Sequence, residues 1–451
     1  MLNKLSTIGI WGLGIVGKSA VRFFSKKKNS IVVYDQKQLS LSDLEFLSLH
    51  NARFHTGTVE EFLAGCDAVL PSPGIDLRPY AAFNKIFINE LDIFASEYHK
   101  AIIAITGSVG KTTVTHLLSH LLVQSGARVI TGGNIGTGML DLLDHPDASS
   151  SDYCVLELSS FQLELCKTFA PHLALWTNFF PNHLDRHGTL HQYFLAKCNI
   201  LRHQTSTDHA LVPLALAQEL CAQYGTRSFN YFSATVPTQQ EIAQLTKQDT
   251  VFYLDNNAIM KLHNDCVMDI GNTTHFSSLT FAANWLTLYA ACHILGITTS
   301  FDRITTITLP SHRLEKTATV HGVDFYDDSK ATIPESTIAA IQQLSRKPIV
   351  LFLGGISKGV DRSTLIKHMP LSVKHVICFG REAEQLFAWC KEYGFSASVH
   401  SSLEEGFTTC LQYVAPGDQV LFSPAGASYD LFNNYQERGT QFKKLVQQHG
   451  A

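Results

Sequence analysis

The chain has 451 residues, which at roughly 150 per domain predicts about three domains. Hydrophobic residues make up 45% and charged residues 16%, so a disordered or fibrous chain is excluded. With 35 basic against 39 acidic residues the net charge is −4, which predicts no nucleic-acid partner.

The longest apolar runs, such as Ala101–Ile105 and Ile349–Leu353, are strand-sized. None approaches the ~20 residues of a membrane-spanning helix, so no membrane insertion is expected. The ten Cys are scattered, with no Cys-x-x-Cys pair. They predict reduced thiols in a cytoplasmic protein and argue against a zinc site.

Short β-rich runs alternate with amphipathic helical stretches, the pattern of an α/β protein. A first segment is expected over residues 1–98. Its strand Thr7–Trp11 leads into the turn Gly12-Leu-Gly14-Ile15-Val16-Gly17 and a helix, and a second strand Ile31–Tyr34 ends at Asp35. Another apolar run, Ala68–Leu70, precedes the turn Ser72-Pro-Gly74. A second segment, 99–300, opens with the strand Ala101–Ile105, a glycine-rich loop and a helix. Further strands are expected at Cys154–Leu156 and Leu173–Thr177. The polar stretch 205–275 has weak periodicity and is read as strands, and Phe281–Leu295 predicts a long apolar helix. A third segment, 301–451, is expected to hold strands near Asp324–Tyr326, Ile349–Leu353, His375–Phe379 and Gln419–Phe422, with helices between them.

The loop Gly107-Ser108-Val-Gly110-Lys111-Thr112-Thr113 stands between a strand and a helix. Glycines there let backbone N–H groups curl around phosphate oxygens, and the helix N-terminus adds a favourable dipole. Lys111 can reach the β/γ-phosphates and the Thr112 hydroxyl can ligate Mg²⁺. The loop is two residues shorter than the common Gly-x-x-x-x-Gly-Lys-[Ser/Thr] pattern. Upstream, Gly12-x-Gly14-x-x-Gly17 with Asp35 eighteen residues further on matches a dinucleotide fingerprint. Such a turn holds any diphosphate, and a second phosphate site on the same chain favours a nucleotide-diphosphate substrate over NAD. A purely structural tight turn is the plainer alternative.

Glu157, His183 and Asp185 follow strands, where open α/β sheets keep their ligand crevice. A carboxylate there can hold Mg²⁺. Lys197 lies on a helix, and as an ammonium it can bind phosphate but no metal. Carbamylation by CO₂ would convert it into a carboxylate-like ligand. Its plain reading is a solvated helix face.

Six motifs in order now resemble the Mur ligases: Gly107-Ser-Val-Gly-Lys-Thr-Thr113, Glu157-Leu-Ser-Ser-Phe-Gln-Leu163, Asn182-His-Leu-Asp-Arg186 with Lys197, Ser311-His-Arg-Leu-Glu315, Asp327-Asp-Ser-Lys-Ala-Thr332 and Ser423-Pro-Ala-Gly-Ala-Ser-Tyr-Asp430. The resemblance spans nearly the whole chain, and the last two motifs point to the branch that adds D-glutamate. It implies three α/β domains: a Rossmann-like N-terminal domain for the UDP substrate, a P-loop-type central ATPase domain, and a Rossmann-like C-terminal domain for the amino acid. It implies a cytoplasmic, monomeric ligase of peptidoglycan precursor synthesis. With ATP and Mg²⁺ the enzyme would join D-glutamate to UDP-N-acetylmuramoyl-L-alanine through an acyl phosphate.

By the same resemblance, Gly107, Ser108, Gly110, Lys111, Thr112 and Thr113 bind ATP, with Asn284, His312, Arg313 and Asp328. Thr112, Glu157, His183 and carbamylated Lys197 hold Mg²⁺. Gly14, Ile15, Val16, Asp35, Gln36, Ser72, Asn134 and His183 face the UDP substrate. Lys330, Thr332, Lys358, Ser428 and Tyr435 hold D-glutamate, a role that suits Lys330 because a dicarboxylate needs cations and hydroxyl donors. Lys111, His183 and Lys197 carry the catalytic assignments.

The chain departs from the family pattern at several places. Asn182 replaces Asp, Asp327 and Ile333 replace Asn, Ala283 replaces His, Tyr435 replaces Phe, Gly426 replaces Cys and Asp92 replaces Glu. Three other readings compete. Sister ligases share the ATP loop but carry other motifs around Lys330 and Ser428. An NAD-linked oxidoreductase leaves Lys111 and Lys330 unexplained. A nucleotide-binding regulatory module on a ligase fold would not couple ATP hydrolysis to the other two substrates.

Overall fold

A computed structural model describes residues 6–274, 280–298 and 310–450. The boundary expected at residues 300 and 301 lies outside the described residues. Three sheets form the frame. The first is parallel: β1 (Thr7–Trp11), β2 (Ser30–Tyr34), β3 (Ala52–Phe54) and β4 (Ala68–Pro71) lie in the order β3-β2-β1-β4.

The second sheet has nine strands. They are β5 (Ala101–Thr106), β6 (Val129–Gly133), β7 (Tyr153–Glu157), β8 (Leu173–Trp176), β9 (His209–Pro213), β10 (Asn230–Ser233), β11 (Thr250–Asp255), β12 (Ala258–His263) and β13 (Cys266–Asn272). Their order is β13-β12-β11-β10-β9-β8-β5-β7-β6. Strands β5, β7 and β8 are buried on both faces, so they read as unbroken apolar runs in the sequence. The weakly patterned stretch holds strands β9 to β13, but it also holds helices that the sequence reading does not predict, at Ala217–Tyr224 and Gln239–Ile242. Its last three, β11 to β13, are antiparallel, and β13 is an exposed edge. Asn264 and Asp265 join β12 to β13 with φ of 50° and 61°, a two-residue turn that requires left-handed backbone. The helix expected at Phe281–Leu295 is present as Ala282–Ile294.

The third sheet contains β14 (Glu315–Val320), β15 (Val323–Asp327), β16 (Ile349–Gly354), β17 (Val373–Phe379), β18 (Ala397–His400) and β19 (Gln419–Phe422). Their order is β14-β15-β19-β16-β17-β18, parallel apart from the β14–β15 hairpin.

Contacts divide the chain into two compact units. One is Met1–Phe179 with His191–Thr306; the other is Phe180–Leu190 with Ile307–Ala451. Within the first unit a single buried cluster runs from Ile8, Phe24 and Val33 through Phe94 and Leu140 to Leu156 and Trp176. The helix Ile15–Lys26 is pinned to the segment after β6: Arg22 forms a two-bonded pair with Asp141 at 2.8 and 2.5 Å, and Ser19 Oγ accepts the Asp141 N–H. Asp92 carries a second tie. Its carboxylate accepts the backbone N–H groups of Lys167, Thr168 and Phe169 at 2.9 Å each. The departure at Asp92 therefore holds a loop. No described helix is long and apolar enough to cross a membrane.

Glu90 begins the helix Glu90–Glu97 and is buried. Gln162 Nε2 donates to its Oε1 at 3.0 Å, while Oε2 has no partner. Burial pushes its carboxyl up to about 7. A carboxyl raised on folding stabilises the folded state below its unfolded value, and that contribution is lost as pH rises toward 7. Glu90→Gln should therefore match the parent near pH 4 and exceed it by about 1–3 kcal/mol at pH 8. Urea melts at the two pH values check this, and a pH-independent difference would count against it.

Candidate active site

In the first unit, β5 ends at Thr106 and delivers Gly107, Ser108, Val109 and Gly110 to the start of the helix Lys111–Gln124. Gly107 has φ +149° and Gly110 φ +81°. A Cβ at Gly107 would overlap Thr177 Oγ1, and one at Gly110 would lie 2.9 Å from Asn284 Oδ1. Only glycine fits at either position without strain. Asn178 clamps the loop from outside. Its Oδ1 accepts the Val109 N–H at 2.9 Å, its Nδ2 donates to the Val109 carbonyl at 3.1 Å, and its own carbonyl accepts the Ser108 N–H. Thr177 Oγ1 adds a bond to the same Val109 carbonyl at 2.7 Å. Sequence reasoning missed both clamps, because they follow β8 and meet the loop only across the sheet. Thr112 and Thr113 are buried in the first helical turn.

Two ammonium groups meet on this loop. Lys111 Nζ donates to the carbonyls of Gly107 (2.8 Å) and Ser108 (3.2 Å). Lys197 Nζ donates to the same Gly107 carbonyl at 2.8 Å and to Thr106 Oγ1 at 3.3 Å. Lys197 also stands 4.7 Å from the Tyr193 ring centre. It is 1% exposed, which overturns its reading as a solvated helix face. The helix Leu190–Cys198 turns it toward the loop, where burial and then the charge of Lys111 hold its ammonium well below the usual lysine range.

Glu157 ends β7 and is 2% exposed. Asn134 Nδ2 donates to its Oε1 at 2.9 Å, and the Asn134 N–H donates to its backbone carbonyl at 2.8 Å. Glu157 Oε2 is buried without a hydrogen-bond partner. An orphaned carboxylate oxygen is costly in an interior, and a divalent cation is the ligand that offsets this cost. Residues Glu157 and Thr112 thus fit the ion that the sequence implied. Asn284 is buried, with its Nδ2 on Thr280 Oγ1 at 2.7 Å and its other face on Gly110.

At the first sheet, Gly14 precedes the helix that carries Ile15 and Val16, and Ile15 is exposed. Ser72 Oγ donates to the Gly12 carbonyl at 3.3 Å. Asp35 accepts the N–H groups of Leu13 (2.7 Å) and Lys37 (2.9 Å), so its carboxylate shapes the glycine turn itself. Gln36 is exposed beside it.

The second unit gathers another set. His183 has φ +55° and precedes the short helix Leu184–His187; its N–H is accepted by Asn182 Oδ1 at 2.9 Å. His312 and Leu314 flank Arg313 with φ of 68° and 45°, both strained for non-glycine residues. Four bonds hold this shape. His312 Nδ1 meets Asp327 Oδ2 at 2.6 Å, its N–H reaches Glu315 at 2.9 Å, and its carbonyl accepts the Lys330 N–H. The Leu314 N–H donates to Asp328 at 3.1 Å. The departure at Asp327 is thus a buried carboxylate paired with a histidine. Asp328 is buried as well, takes a bond from Ser423 Oγ at 2.7 Å, and is pushed up to about 7 by burial.

His312, Glu315 and Asp327 have metal-like spacing. Lys443 Nζ lies 2.8 Å from Glu315 and 3.9 Å from Asp327 and already supplies the cation there. Lys330 Nζ sits 3.8 Å from the centre of the Tyr435 ring. Thr332 is half-buried, Ser428 is buried, and Lys358 takes φ +54° in the loop after β16.

The family models that match this chain are all of Mur ligases. The profile of the MurD-like N-terminal domain of Mur ligases matches residues 6–87. The Mur ligase middle domain matches 105–270, and the glutamate ligase domain of Mur ligases matches 312–426. A protein of Desulfotalea psychrophila named UDP-N-acetylmuramoylalanine–D-glutamate ligase is 35% identical, over 99% of this chain and 97% of its own. One of the same name from Thermoanaerobacter pseudethanolicus is 31% identical over 96% of both chains. Among solved structures, the MurF ligase of Thermotoga maritima in complex with ADP matches with a TM-score of 0.59 at 18% identity, covering 93% of this chain and 95% of that one.

Proposed function

The chain belongs to the Mur ligase family, and from that membership we propose that it joins D-glutamate to UDP-N-acetylmuramoyl-L-alanine at the expense of ATP. The observation that carries the substrate assignment is the likeness, over 99% of the chain, to a relative named for that reaction.

A carboxylate does not condense with an amine at neutral pH unless it is activated. Phosphoryl transfer from ATP to the alanyl carboxylate gives an acyl phosphate and ADP. The deprotonated amine of D-glutamate attacks the acyl carbon, and collapse of the tetrahedral adduct forms the amide and expels phosphate. The phosphate loop orients the transferred group, with Lys111 and Arg313 offsetting its charge. Bound Mg²⁺ would supply further charge neutralisation at the phosphates. Thr112 would hold one Mg²⁺ at the phosphates, and Glu157, His183 and carbamylated Lys197 would hold a second, a reading supported by the orphaned Glu157 Oε2. A neutral Lys197 amine adds to CO₂ and releases one proton, and its burial beside Lys111 favours that neutral form.

Asn134 and the glycine turn receive the UDP substrate, with Asp35 shaping that turn. Lys330, Thr332, Lys358, Ser428 and Tyr435 receive D-glutamate, whose carboxylates pair with the ammonium groups. Asn284, His312 and Asp328 serve the nucleotide. We place this reaction in the cytoplasm and assign it to a monomer.

The test is phosphate release from ATP and Mg²⁺ with UDP-N-acetylmuramoyl-L-alanine, comparing D-glutamate, L-glutamate, L-alanine and no amino acid. Stimulation by D-glutamate alone, with the matching product mass, is the expected result. Stimulation by another amino acid would move the chain to a sister branch, and none at all would make it a binding protein.

A further inference from the structure

Two arginines, Arg362 and Arg438, are completely buried in the second unit, and no motif in the sequence marks them. Arg438 lies on the helix Tyr435–Gly450. Its Nε donates to Ser329 Oγ at 3.0 Å, its Nη2 to the Ser329 carbonyl at 2.7 Å, and its Nη1 to the Gly426 carbonyl at 2.9 Å. All three acceptors are neutral. Holding a guanidinium in a core on neutral oxygens is expensive, and burial lowers the Arg438 pKa to about 10. The group still carries its charge at neutral pH.

The three bonds join loops from different strands. Ser329 follows β15 and precedes Lys330; Gly426 follows β19 and stands two residues before Ser428. The neighbouring glycines leave room for this arrangement. A Cβ at Gly355 would lie 3.0 Å from Arg438 Nη1, and one at Gly426 would lie 2.8 Å from Arg362 Nη1. The departure at Gly426 is thus the absence of a side chain where two loops close around buried guanidinium groups. The nucleotide-side loop keeps ties that do not run through Arg438: His312 to Asp327 and to the Lys330 N–H, and Asp328 to Leu314 and Ser423.

We propose that Arg438 is a positioning residue for the amino-acid substrate: by bridging Ser329 to Gly426 it sets the span between Lys330 and Ser428, so that a short dicarboxylate fits between them. This rests on the reading of Lys330 and Ser428 as D-glutamate ligands. Loss of the bridge lets the two loops move apart, and its effect falls on D-glutamate and not on ATP.

Steady-state kinetics of the full chain, with each substrate varied in turn, test it. Arg438→Lys keeps the charge but loses the planar fork. Ser329→Ala removes one acceptor of Arg438, together with the bond Ser329 Oγ donates to the Tyr435 carbonyl at 2.8 Å, and is mild enough to leave the core intact. The KM for D-glutamate should rise about tenfold in Arg438→Lys and about threefold in Ser329→Ala. The KM values for ATP and the UDP substrate should stay within about twofold, and kcat at saturating D-glutamate should be largely kept. Equal rises for all three substrates, or a lowered melting temperature with the D-glutamate KM unchanged, overturn the proposal. If Arg438→Lys does not fold, Ser329→Ala decides by the same criterion. Lys330→Ala is the control. An unchanged D-glutamate KM there retires the ligand reading and the proposal with it. A rise there without one in the other two variants retires the role of Arg438 alone.

Discussion

Lys111→Ala should lose at least about a thousandfold in kcat, or about 4 kcal/mol of transition-state stabilisation. The loss is large because phosphoryl transfer demands little of a protein except positioning and charge. Lys111 begins its helix at the mouth of the glycine loop, and its Nζ already rests on the carbonyls of Gly107 and Ser108. From there a short movement takes it to the phosphates. The loop itself should survive the substitution, because Asn178 and Thr177 hold it independently. Phosphate release with all three substrates is the measurement, beside a thermal melt that confirms folding. Near-normal turnover would remove Lys111 from the phosphate site.

Lys197→Ala should be impaired by about a hundredfold or more and partly rescued by acetate or formate, since one charged ligand in a dry site is worth several kcal/mol. The argument is electrostatic. Lys197 is buried, pairs with no carboxylate among the described residues, and shares the Gly107 carbonyl with Lys111. Desolvation first and the neighbouring charge second favour its neutral amine. A neutral amine at physiological pH is a nucleophile for CO₂, whereas an ammonium is not. Truncation to Ala leaves a space lined by Tyr193 and the loop, open to a small carboxylate. Lys197→Arg should fail without rescue, because arginine stays charged and occupies the space. Full activity in Lys197→Ala would take the residue out of the site. Loss without rescue would leave it a structural amine.

Much of this was legible in sequence, for local reasons. Gly107, Gly110 and Lys111 stand between an apolar strand and a helix, and that local order alone marks a phosphate loop. Strands β5, β7, β16 and β19 are recognisable because burial on both faces makes them uniformly apolar. Strands β12 and β13 are weaker in sequence because they close the outer antiparallel end of the sheet, half-buried or exposed without a clean alternation, whereas β11 is buried nearly throughout. The burial of Lys197 was not legible. It depends on which face of a short helix meets the loop, and a nine-residue helix with little amphipathic contrast does not announce its face.

The departures from the family pattern divide in the same way. Sequence identified Asp92, Asp327 and Gly426 as unusual but could not say what each one does. The fold supplies their partners: three backbone N–H groups for Asp92, His312 for Asp327, and the two guanidinium groups beside Gly426.

By itself the sequence determined the α/β class, the phosphate loop, the acidic end of β7 and the order of motifs that marks the family, because each depends on residues close together in the chain. Only the tertiary structure decided which charged groups are dry, which carboxylate oxygen lacks a partner, and that Asn178 and Arg438 hold the loops. Desolvation and hydrogen bonding act through space, between residues as far apart as Ser329 and Arg438, and no local pattern records them.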